Sequence, residues 1–64
     1  MFVELKSKSG MLISINALNV VSVAPAENNG TELTTSEGGG AWAIDEPYNE
    51  VMEKLKKEFD ATIM

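Results

Sequence analysis

Towards the end of the chain the apolar positions fall at Tyr48, Val51, Met52, Leu55 and Phe59. Steps of three and four trace one stripe of a 3.6-residue period, and the spacing predicts an amphipathic helix over residues 45–60. Glu50, Glu53, Lys54, Lys56, Lys57 and Glu58 fill the remaining surface. Acids at the start and lysines in the later turns oppose the macrodipole. Glu50 with Lys54 and Glu53 with Lys57 have i, i+4 spacing, each pair contributing about 0.2–0.5 kcal/mol. Pro47 is tolerated in a first turn, where its missing N–H has no partner in any case. Asp45 is the better cap by residue type, whereas Pro47 disfavours helical dihedrals at Glu46 and so favours Glu46 as the cap. A helix of about four turns is marginal alone in water, so its stripe must lie against something.

Everything before it carries the two-residue period of strands. Residues 2–8 alternate, with Val3, Leu5 and Ser7 on one face and Phe2, Glu4, Lys6 and Lys8 on the other. Ser9-Gly10 is a turn signal, and residues 11–15 resume with Met11, Ile13 and Ile15 on one face. The short connection makes these two strands an antiparallel hairpin. Residues 16–19 read as a turn with Leu18 folded into the core. Residues 20–24 are a β-branched third strand ended by Pro25, which cannot donate to a ladder. Asn29-Gly30 is a strong hairpin signal. Residues 31–35 form a threonine-rich strand, residues 37–40 a glycine turn, and residues 41–44 the fifth strand. All connections are short, so consecutive strands are expected to be antiparallel neighbours. The expectation is an α+β fold in one domain over residues 1–64: a five-stranded antiparallel meander over residues 1–44, curled or barrel-like, with the C-terminal helix of residues 45–60 packed on it.

The expected core face holds Val3, Leu5, Met11, Ile13, Ile15, Val21 and Val23. The opposite face still carries Phe2, Leu12 and Val20, although a sheet with one solvated face alternates more cleanly. Either the sheet curls so that both faces are partly covered, or the second face meets another subunit. Sixty-four residues lie near the lower limit for a single core. With no cysteine and no histidine, neither a disulfide nor a Cys/His zinc site staples the fold. Association with another copy is the remaining staple. Phe2, Leu12, Val20 and Trp42 are therefore the candidate interface, scattered exposed apolar residues being the ordinary alternative.

Ten acidic residues against five lysines give a net charge of −5, and there is no arginine. That is a poor footprint for phosphate-backbone binding and disfavours anionic membranes as well. No segment approaches the roughly 18 apolar residues of a membrane span. Residues 1–18 lack a basic start followed by an apolar run, so no signal peptide is expected. The zero cysteines fit a reducing cytoplasm.

Without His or Cys a catalytic triad or thiolate mechanism lacks its parts. A Ser–Lys arrangement through Ser7, Ser9 and Lys6 or Lys8 would sit at an exposed hairpin tip, which excludes no water. No enzyme, catalytic residue, metal ligand or cofactor site is expected. Asp45, Glu46 and Glu50 are an ordinary acidic helix start. Glu27, Asn28, Asn29 and Glu32 do not match calcium-loop spacing. Asn29-Gly30-Thr31 fits a glycosylation pattern that the turn already explains. Gly38-Gly39-Gly40-Ala41-Trp42 either sets a ligand-stacking tryptophan beside a flexible loop, or is a hairpin turn followed by a core or interface Trp; Trp42 shares a face with Gly40 and Ile44, which favours the latter.

The order of these pieces resembles the small FlbD-type flagellar proteins and similar short phage-encoded proteins. The likeness is carried by Leu5, Gly10, Ile13-Ser14-Ile15-Asn16, Leu18, Val20-Val21-Ser22-Val23, Pro25 and Glu50-Val51-Met52-Glu53-Lys54-Leu55. The flagellar members carry a Gly-Lys in the last hairpin and basic residues near the end. This chain has three glycines there instead, which points to the phage-type relatives. The resemblance implies the architecture and transfers no site residue.

The functional expectation is a non-enzymatic protein–protein interaction module, a homo-oligomer of phage or bacterial origin working with itself and a further protein partner. Two rivals are carried: a nucleic-acid-binding ring of the Sm type, and a binder of a small molecule or nucleotide between subunits. The first places its helix before the strands and needs basic residues; the second rests on Trp42.

Overall fold

The computed structural model describes residues 1–36 and 40–63, with side chains up to Asp60. It is an α+β fold. Strand β1 (Phe2–Lys6) pairs antiparallel with β2 (Leu12–Asn16) in a two-stranded sheet. Strands β3 (Val20–Ala26), β4 (Gly30–Thr35) and β5 (Ala41–Ile44) form a second antiparallel sheet in the order β3-β4-β5. Helix α1 (Tyr48–Ile63) packs against β1, β3 and β4.

The β1–β2 connection follows its sequence signal. Gly10 has φ +91°, and its N–H donates to the Ser7 carbonyl at 2.9 Å. Only glycine adopts that φ without strain. Of the turn expected at residues 37–40, residues 37–39 lie outside the described residues, as does Met64.

The single meander is corrected, because β2 does not pair with β3. Between them runs a 3-10 turn, Ala17–Asn19. The Asn16 side chain accepts from the Leu18 N–H at 3.1 Å, and both flanking residues, Asn16 and Val20, stay extended. One such turn makes a corner rather than a reversal, so β3 departs into another sheet. Ala17 fills the core at this corner and donates its N–H to the Met1 carbonyl, whereas Leu18 points outward, against expectation.

The sheets join instead between the end of β1 and β5. Ser7 bridges Ile44, the Lys8 N–H donates to the Ala43 carbonyl at 2.9 Å, and the Asp45 N–H donates to the Lys6 carbonyl at 2.7 Å. The two sheets do not close into a barrel.

A register shift between Val20 and Ser22 corrects the third strand. Two residues there face one on β4, a β-bulge that reverses the alternation. Val20 and Val23 consequently pack on the core, and Val21 is exposed. Pro25 does not end β3 but lies inside it, opposite Thr31. The left-handed residues of the next turn are Asn28 and Asn29, one position earlier than Asn29-Gly30. Gly30 is extended and buried. A Cβ there would stand 3.0 Å from the Ile44 carbonyl oxygen, so glycine serves close approach rather than a turn.

The core consists of Val3, Leu5, Ile15, Ala17, Leu33, Ile44, Val51 and Leu55, with Met1, Ile13, Val20 and Val23 partly buried against it. Met11, expected inside, is exposed. The helix begins three residues later than Asp45. Pro47 supplies the first carbonyl acceptor, to the N–H groups of Glu50 and Val51 at 3.0 and 3.1 Å, and the helix runs on to Ile63. Val51 and Leu55 are buried and Tyr48 half-buried, while Met52 and Phe59 lie at the margin of the covered stripe.

Candidate functional site

The helix covers only part of the inner face. Cross-strand pairing puts Leu33 opposite Trp42 and Thr31 opposite Ile44, so Trp42 shares the core face. Leu33 and Ile44 are fully covered, yet Trp42 is 44% exposed. Its indole stands between two open grooves. One, of about 380 Å³, is lined by Phe2, Ser14, Ile15, Asn16, Asn19 and Thr35 with Trp42. The other, of about 450 Å³, is lined by Met11, Ile13, Ala41, Ala43 and Trp42, with Ser7, Lys8 and Ser9 at one end. Strand β2 supplies a wall to both. In the second groove Met11 stays exposed and Ile13 is only partly buried.

Of the four candidate interface residues, Phe2 and Trp42 line the same groove. Leu12 pairs with Lys6 and Phe2 with Asn16, so Leu12 lies at the far end of the hairpin from Phe2. Val20 is half-buried against the core. Phe2, Met11, Leu12, Leu18 and Val21 are each between 64% and 67% exposed.

The acids at the start of the helix are separated from one another by their partners. Asp45 lies 3.8 Å from Lys8. Glu46 holds three elements together. Its carboxylate accepts from the Lys6 N–H at 2.8 Å and from Lys54 Nζ at 2.6 Å, and its carbonyl accepts from Thr31 Oγ1 at 2.7 Å. Lys54 also donates to the Glu4 carbonyl at 3.2 Å, so its partner is Glu46 rather than Glu50. Burial pushes the Glu46 carboxyl up, but the Lys54 hydrogen bond, the Lys6 N–H and the charges of both lysines outweigh it, leaving the group below its ordinary 4.5. Among the described residues no three carboxylates converge as a metal site. Ser7 is buried beside β5, not at an exposed tip, and its hydroxyl lies 2.7 Å from that of Ser9. No described helix is long and apolar enough to cross a membrane.

The role of Glu46 was hidden in the sequence, where an acid before a proline-initiated helix reads as a cap. Comparison of the chain with protein-family models, curated proteins and solved structures finds no match.

Proposed function

We propose that this chain is a non-catalytic interaction module that works as an assembly of its own copies. The observation that supports the reading is the amount of apolar surface a very small core leaves outside. Among the described residues of this 64-residue chain, five large apolar ones stay about two-thirds exposed. Domains of this size commonly gain stability by oligomerising, which would cover such surface. The likeness to FlbD-type and phage-encoded proteins adds the expectation of an accessory role in a phage or bacterium. Light scattering coupled to size exclusion at tens of micromolar tests the reading. A mass of two or more chains is expected; a single-chain mass contradicts it.

Trp42 supports a second reading. Its 380 Å³ groove combines two aromatics, Phe2 and Trp42, with the uncharged polar side chains of Ser14, Asn16, Asn19 and Thr35. Such a lining suits a flat, uncharged heteroaromatic group, stacked and hydrogen-bonded at its edge. Titration of Trp42 fluorescence with nucleosides is expected to quench or shift its emission if the groove takes such a group; unchanged emission at millimolar nucleoside contradicts it. A nucleic-acid ring is less well supported, because Lys8 and Lys54 are engaged by Asp45 and Glu46.

A further inference from the structure

Residues 9–26 carry no charged side chain, so every acid and every lysine lies outside that stretch. It spans β2, the 3-10 corner and β3, and it holds exposed Met11, Leu12, Leu18 and Val21. On a chain of net charge −5, two copies that meet on surfaces carrying acids repel each other. Meeting along this stretch they do not.

Within it lie two sheet edges of different character. The β3 edge is blunted by the bulge after Val20 and by Pro25, both devices that oppose strand addition. The β2 edge has neither. Its register with β1 is unbroken, and it contains no proline and no charge. The direction of its free groups follows from the ladder. The Ser7 N–H donates to the Met11 carbonyl and the Ala17 N–H to the Met1 carbonyl, each at 2.8 Å. Hydrogen-bonded pairs alternate along an antiparallel ladder. Met11, Ile13, Ile15 and Ala17 therefore turn their backbone groups to β1, and Leu12 and Ser14 turn theirs to the open side. A two-stranded sheet is itself marginal in water and gains from a third strand.

Resting on the assembly reading above, we propose that two copies join along β2. The strands run antiparallel about a two-fold axis at Ser14, making one continuous sheet of the two hairpins. Ser14 then faces Ser14 of the partner subunit, Leu12 faces the partner's Asn16, and the inner Ile13 rows become continuous across the axis.

Two variants test it. Ser14→Pro removes a free-edge N–H and no β1–β2 hydrogen bond. Ser14→Lys places lysine against lysine in the dimer, yet faces Glu4 across β1 within each chain. Light scattering at tens of micromolar, with circular dichroism as the fold check, should give the wild type two chains or more. Both variants should be folded and at half the wild-type mass or less. Ser14→Lys keeps every backbone group, so it decides the matter if Ser14→Pro does not fold. A folded Ser14→Lys at wild-type mass overturns the edge and leaves the assembly reading standing. A single-chain wild type overturns both.

Discussion

Glu46 shows how one residue fixes three elements. Its side chain is 14% exposed and ties β1 to α1, while its carbonyl holds Thr31 of β4. Removing one partner of such a bond costs about 1–3 kcal/mol, so Glu46→Ala should lose that much in urea unfolding. The pH dependence has a definite sign. A carboxyl whose folded pKa lies below its unfolded value contributes stability that is complete above the unfolded value and is lost as pH falls through the folded one. Stability should thus decline as pH drops below the ordinary 4.5, and Glu46→Gln should show a shallower decline in the same titration. Gly30 makes a different point. Its Cβ position meets the Ile44 carbonyl and the Lys8 side chain, and overpacking of this kind costs about 1–3 kcal/mol. Gly30→Ala should lower the urea midpoint accordingly; an unchanged midpoint would show that Ile44 shifts freely.

At the scale of elements, what was legible depended on the range of the interaction. The helix, the five strands and the Gly10 turn follow from local period and turn chemistry, and α1 does lay Val51 and Leu55 on strands. Leu55→Ala should therefore cost about 2–5 kcal/mol, with a smaller loss for Met52→Ala at the margin, both read by denaturant unfolding. What escaped was non-local. The bulge at Val21 depends on matching β3 to β4, not on the Val-rich string itself. The corner at Ala17–Asn19 looks like a reversal in sequence, because asparagine at both ends suits either turn. The bridge from Ser7, just after β1, to Ile44 of β5 joins positions 37 residues apart, and nothing in either segment announces it. The candidate site was legible in part for the same reason: Phe2 and Trp42 are apolar residues of two separate strands, and the fold brings them to one groove, while Leu12 stands apart and Val20 turns inward.

The whole molecule has a core too small to cover its own apolar surface and an uncharged stretch on an acidic chain. On the proposed β2 pairing, the Leu12 and Ser14 amides are free in the isolated chain and protected in the assembly. Hydrogen exchange of the wild-type protein, followed at these two amides from dilute to tens-of-micromolar solution, compares the two states directly. Slowing of exchange as concentration rises, with Leu5 and Leu33 protected throughout, is the predicted result. Exchange at Leu12 and Ser14 that stays fast and independent of concentration would contradict it.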